Sequence, residues 1–146
     1  KGTSFLEIYQ NCNIFNDGAF GHITDRKTRD QAVLFAEHGQ PLLYGGKSGP
    51  QRGIRLNPRT LALESVEIGD EFGVDDCLVH DETNQSLAML LVKLQPPMPV
   101  VMGVIYRVER PTYEDQVHAQ LSEAKTRPGA GELSRIFSEG NTWVVD

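Results

Sequence analysis

The chain has 146 residues, with 14 Lys and Arg against 20 Asp and Glu, for a formal net charge of −6. That length suits one core of ordinary size, and the mix of 39% hydrophobic with 23% charged residues is that of a globular protein, not a disordered tail. The acidic balance argues against a broad phosphate-binding surface, so nucleic acid is not expected as a partner. No membrane contact is expected either, because the longest apolar run, residues 87–92, falls far short of the ~20 residues that cross a bilayer.

Cys12 and Cys77 are too few for a disulfide-rich scaffold and too far apart for a paired-cysteine zinc site, which favours a reducing, cytoplasmic setting. The chain starts without Met and enters an apolar segment after four residues, the expectation for a fragment.

In chain order, residues 4–10 alternate Phe5, Glu7 and Tyr9 against Leu6, Ile8 and Gln10, which predicts a strand. Residues 11–18 are dense in Asn, Asp and Gly and predict a loop. Residues 24–31 predict a short surface helix or link. Apolar runs at 32–37 and 42–44 flank His38-Gly39-Gln40-Pro41 and predict a β-hairpin. Two further strands are expected at 53–56 and 61–68, and a short apolar run follows at 77–79.

Thr83 is the expected cap of a helix over 84–94, whose Leu87, Leu90, Leu91 and Leu94 recur at helical spacing; Met89 and Val92 widen that face, and Pro96-Pro97 stops it. Residues 100–108 form the most strand-like run. A second helix over 112–125 opens with a Thr112/Asp115 capping pair and turns Val117 and Leu121 inward. A short helix over 131–138 and a strand over 142–145 complete the pattern. The fold class is α+β, a small mixed or antiparallel sheet with two main helices.

Three motifs invite chemistry. Gly46-Lys47-Ser48 suggests a phosphate loop, yet that motif needs a Gly five residues before Gly46, where Pro41 stands. The loop reads as a basic connection, with Lys47, Arg52 and Arg55 available to an anionic partner. His80-Asp81-Glu82 has acid–base residue types, but neighbours at a strand end point apart, and Asp81 and Glu82 suit the start of a helix. His22, His38 and His118 show no metal-ligand rhythm, so no catalytic residue is assigned. Cys77, in an apolar run, reads as a small buried hydrophobe. Cys12 follows a strand in a polar loop, a setting that lets a thiolate turn toward a metal, although an iron–sulfur centre takes four ligands and this loop offers one.

Gly2-Thr3-Ser4-Phe5-Leu6-Glu7-Ile8-Tyr9-Gln10-Asn11-Cys12-Asn13-Ile14-Phe15-Asn16-Asp17-Gly18-Ala19-Phe20 resembles the end of the thiamine-pyrophosphate-binding domain in beta subunits of 2-oxoacid:ferredoxin oxidoreductases, especially the 2-oxoglutarate type. The likeness continues through Glu37-His38-Gly39-Gln40-Pro41-Leu42, Tyr44-Gly45, Arg52-Gly53-Ile54 and Val79-His80-Asp81-Glu82. It reappears in Arg110-Pro111-Thr112-Tyr113-Glu114-Asp115, Gly131-Glu132-Leu133 and Thr142-Trp143.

The resemblance implies two parts, residues 1–20 closing the cofactor domain with its last strand and residues 21–146 forming a C-terminal α+β domain. It implies that Cys12 is a [4Fe–4S] ligand, although Asn13 stands where the family has Pro. The intact enzyme would convert a 2-oxoacid and coenzyme A to acyl-CoA and reduce ferredoxin, with thiamine pyrophosphate, magnesium and the cluster as cofactors. Its Gly-Asp-Gly…Asn motif is missing from this chain, so the fragment alone is expected to bind none of them and to be inactive. The implied partners are the N-terminal part of the same subunit, an alpha subunit and ferredoxin. The competing expectation is a free-standing cytoplasmic interaction or regulatory module in which Cys12 is an ordinary thiol.

Overall fold

The computed structural model describes residues 2–127 together with Leu133, Phe137, Trp143 and Val145. The expected helix over 131–138 and strand over 142–145 lie, but for those four residues, outside the described residues. The chain divides into two compact units, one of Glu7–Val108 and one of Lys1–Leu6 with Glu109–Asp146.

The larger unit opens with two one-turn helices, α1 (Gly21–Thr24) and α2 (Arg29–Ala32), on the segment expected to be a short helix or link. Strands β1 (Val33–Ala36), β2 (Leu43–Gly45), β3 (Gln51–Leu56) and β4 (Leu63–Glu67) follow. Then come a 3₁₀ turn at Val74–Asp76, helix α3 (Gln85–Leu91) and strand β5 (Val100–Gly103). In place of one small sheet there are two: β2-β3-β4 is antiparallel, while β1 and β5 form a parallel pair with Val33 opposite Val100 and Phe35 opposite Met102. The class is α+β, as expected.

The hairpin expected around residues 38–41 is not formed, because β1 and β2 belong to different sheets. Gly39 takes a left-handed turn (φ 77°), and the backbone beyond it pairs with residues 78–80. Gly39 N–H donates to the His80 carbonyl, His80 N–H to Gln40 and Leu42 N–H to Leu78, each at 2.8 Å. A segment distant in sequence supplies the partner that the local pattern assigned to β1.

Residues 2–11 carry no strand, contrary to expectation, and Phe5, Leu6 and Ile8 are exposed. An extended segment becomes a strand only by exchanging hydrogen bonds with a neighbour, and none of the described strands pairs with it.

The core joins Leu34 and Ala36 of β1, Leu42, Tyr44 of β2, Ile54 of β3, and Leu87 and Leu91 of α3, with Leu94, Val101 and Ile105 packed against it. Helix α3 starts one residue later than expected. The Thr83 hydroxyl and N–H are both taken by Asp81 Oδ1, at 2.7 and 2.9 Å, so Asn84 caps the helix by accepting from Leu87 N–H. Leu90, expected on the buried face, and Met89 and Val92, expected to widen it, are exposed. The helix ends at Leu91, short of the expected 94, with Leu94 N–H bonded three residues back to Leu91 before Pro96.

Strand β5 is likewise shorter than the run at 100–108. Gly103 turns to φ 116°, where a Cβ would run into the Ala36 carbonyl, and the following backbone bonds to side chains and loops instead of a ladder.

In the smaller unit, helix α4 (Tyr113–Thr126) has the expected capping box. The Thr112 hydroxyl accepts from Asp115 N–H at 3.3 Å, and Asp115 Oδ2 accepts from Thr112 N–H at 3.2 Å. Its stripe does not turn inward: Leu121 is exposed and Val117 half-buried, and no described residue of this helix is buried.

Candidate functional site

The Cys12 loop is a closed hydrogen-bonded turn. Asn16 N–H donates to the Cys12 carbonyl at 2.9 Å, and Asn11 pins both sides. The Asn11 amide nitrogen reaches Asn13 Oδ1 at 2.7 Å and Asp17 Oδ1 at 2.9 Å, while its Oδ1 accepts from Gly18 N–H at 2.9 Å. Gly18 makes that last contact with φ 73°, a conformation suited to glycine. The Tyr9 and Phe20 rings pack against each other across the base of the loop, 5.2 Å between centroids.

Cys12 itself is half-buried. The backbone N–H groups of Phe15, then Ile14 and Asn16, draw its thiol below the ordinary range and favour thiolate, outweighing the effect of partial burial. The composition of residues 11–18 announced a loop; that Asn11 is its clamp was not legible, because an Asn in a polar segment has many possible partners.

Among the described residues no three His, Cys, Asp or Glu side chains converge as a metal site. Cys77 is buried beside β3, and burial, with the Asp76 carboxylate adding to it, pushes its thiol upward. It behaves as the small core hydrophobe the sequence suggested. Of the two cysteines, Cys12 is therefore the one whose surroundings favour thiolate.

The His80-Asp81-Glu82 segment is used structurally, as expected. His80 is buried, with Nε2 at 2.8 Å from the Val104 carbonyl and Nδ1 without a partner among the described residues. Hydrogen bonds from the Thr83 hydroxyl and N–H lower the Asp81 carboxyl, and His38 nearby adds to this. Glu82 pairs with Arg107 at 3.0 Å, and its N–H donates to His38 Nδ1 at 3.2 Å. His80 Nε2, the Glu82 N–H and the Glu82 carboxylate join the 38–41 turn, the 80–83 turn and the strand exit at 104–107. His22 and His118 lie exposed.

The Gly46-Lys47-Ser48 loop already holds an anion of its own. The Asp30 carboxylate accepts from Lys47 N–H at 3.0 Å, from Ser48 N–H at 2.9 Å and from the Ser48 hydroxyl. Donors that a phosphate loop would aim at a ligand are thus spent on a side chain from α2. Asp30 was not singled out from sequence; its charge at the start of a short polar helix carries no sign of a partner 18 residues on.

Neither a protein-family model nor a solved structure matches the chain. Over 152 aligned positions, covering the whole chain, it is 28% identical to the 2-oxoglutarate oxidoreductase subunit KorB of Mycobacterium tuberculosis. The chain is a relative of an oxidoreductase subunit. It spans 39% of that protein's length, and the similarity bears out the resemblance to 2-oxoacid oxidoreductase beta subunits drawn from residues 2–20 and the later segments. No helix among the described residues is long and apolar enough to cross a membrane.

Proposed function

We propose that the chain is the C-terminal part of the beta subunit of a cytoplasmic 2-oxoacid:ferredoxin oxidoreductase, with 2-oxoglutarate as the substrate. Residues 1–20 close the thiamine-pyrophosphate domain, and residues 21–146 support it and the contact with an alpha subunit. The observation that carries this reading is the similarity to KorB along the full chain.

Bound in the intact enzyme, thiamine pyrophosphate with magnesium would supply the decarboxylation chemistry and a [4Fe–4S] cluster would supply electron transfer to ferredoxin, with coenzyme A as the acyl acceptor. The part assigned to this chain's own residues is narrower. Cys12 donates a single thiolate; Asn11 and Gly18 brace the turn, and the N–H groups of Phe15, Ile14 and Asn16 favour the anionic form that ligation requires. The chain alone is inactive, since it brings no diphosphate-binding motif and one cluster ligand.

The test is Cys12→Ser in the complete complex. Loss of the cluster's visible absorbance, with subunit assembly intact by gel filtration, is the expected result; an unchanged spectrum overturns the ligand assignment.

A further inference from the structure

Charge is unevenly spread along the larger unit. Residues 21–59 hold seven of the chain's 14 Lys and Arg against three Asp and Glu, whereas residues 60–92 hold eight Asp and Glu and no Lys or Arg. The fold cancels part of this where the two stretches meet. Arg55 pairs with Glu64 at 2.8 Å and lies over the Phe72 ring, and Arg52 stands opposite Glu67 in the β3–β4 register. Other carboxylates of the acidic stretch are engaged too: Glu82 pairs with Arg107, Asp81 accepts from the Thr83 hydroxyl and N–H, and Asp76 accepts from Gly73 N–H at 2.7 Å. Arg26, Lys27, Arg29 and Lys47 are in the opposite condition. All four are exposed, and none pairs with a carboxylate among the described residues.

Asp30 brings these cations onto one surface. Its carboxylate accepts from Lys47 N–H and Ser48 N–H, and Gln31 Nε2 donates to the Pro50 carbonyl at 3.1 Å, so the 46–50 loop is pinned to α2. The turn that carries Arg26 and Lys27 is closed by Arg29 N–H on the Asp25 carbonyl at 2.8 Å, and Asp25 Oδ1 accepts from Lys27 N–H at 2.9 Å. Both local carboxylates are thus turned onto backbone N–H groups. Four cations against two acids leave the patch positive on a chain whose total is −6.

We propose that Arg26, Lys27, Arg29 and Lys47 dock an acidic segment of a protein partner, a role that does not depend on the enzyme assignment. Clusters of basic side chains recognise acidic motifs in this way, and the acidic remainder of the chain repels such a partner, so charge fixes where it lands. A small phosphate is disfavoured, because the loop N–H groups that would cradle it are spent on Asp30. A nucleic acid needs a broad basic face, and this one is four side chains wide. A second copy is disfavoured because five of the eight carboxylates in its acidic stretch already have partners, leaving Asp70, Glu71 and Asp75 to offer.

The test measures binding of fluorescent poly-L-glutamate, the simplest acidic segment, to the full chain by anisotropy. Binding is expected at low ionic strength, weakening about tenfold or more at physiological salt, where screening acts beyond about 8 Å. Lys27→Glu with Lys47→Glu should weaken it about tenfold at low salt. Arg59→Glu with Lys93→Glu, the same change in net charge at exposed positions past the far end of β3 and after α3, should leave it nearly unchanged. Both double variants should keep the parent's thermal midpoint, since the bonds made by residues 27 and 47 are backbone bonds. No binding overturns the proposal, and so does equal weakening in the two double variants, which would reduce the effect to net charge. Displacement of the peptide by inorganic phosphate at equal charge would assign small anions instead. Salt-reversible self-association in sedimentation, lost in the Lys27/Lys47 variant, would assign a second copy, and either result also overturns the proposal. These outcomes are independent of the cluster test on Cys12.

Discussion

Cys12 and Cys77 show how strongly backbone placement divides two identical side chains. Cys12 is half-buried in a turn whose N–H groups lower its thiol, while Cys77 is buried and raised by desolvation. Because thiolate is the nucleophile, alkylation with iodoacetamide near pH 7.5 should label Cys12 alone, and Cys77 only after denaturant is added; peptide mapping by mass spectrometry reads this, and equal labelling in the native chain would contradict it. Asp30 makes a second residue-scale case. Its carboxyl is lowered by the Ser48 hydroxyl, then by the N–H groups of Ser48 and Lys47, against an unfolded value near ~3.9. A depressed folded value means the stabilising contribution is complete above about pH 4 and is lost as pH falls through the lowered folded value. Asp30→Asn should therefore lower the thermal midpoint at pH 6 and narrow its difference from the parent as the pH approaches 2, which a series of thermal melts will show.

At the scale of elements, the helices were the most legible. Thr112 and Asp115 stand at capping-box spacing and form that box. Thr112→Ala should cost α4 about 1 kcal/mol, seen as faster exchange of the amides of residues 113–116. The strands were legible as strands and illegible as a topology. Alternation identifies a pleated segment but carries no information about its partner, and so the run at 32–37 was joined to 42–44 instead of to 100–103, far along the chain. The strand expected at 4–10 failed for the same reason, its pattern being real but its neighbour not among the described strands. Strand β3 supplies a sharper test of packing. A Cβ on Gly53 would run into Cys77 Sγ and come within 3.0 Å of Leu43 Cδ2. Gly53→Ala should destabilise by about 1–3 kcal/mol, as overpacking does. If the sulfur is the obstacle, adding Cys77→Ala should recover part of that loss, and strict additivity in urea unfolding would refute the coupling.

At the scale of the larger unit, stability converges on the point where the two sheets and the 78–80 segment meet. Ile54 sits there, fully buried. Its N–H donates to the Leu42 carbonyl at 2.9 Å, its carbonyl accepts from Leu78 N–H at 2.8 Å, and its β4 neighbour in the register is Ser65. The side chain belongs to the cluster that also holds Leu34 from the parallel pair and Leu91 from α3. One residue thus ties together segments that no local pattern relates. Replacing it with Ala leaves the backbone bonds available and removes the packing, so the loss should follow the large-to-small rule, about 2–5 kcal/mol, against about 0.5–1.5 for Ile54→Val. The larger figure is a substantial share of the roughly 5–15 kcal/mol that holds an ordinary domain folded. Urea unfolding followed by exchange of the amides of Leu42, Ile54 and Leu78 measures it directly. These three should lose protection together in Ile54→Ala, because each bonds to the next; loss confined to Ile54 would show that the sheets and the 78–80 segment are held independently.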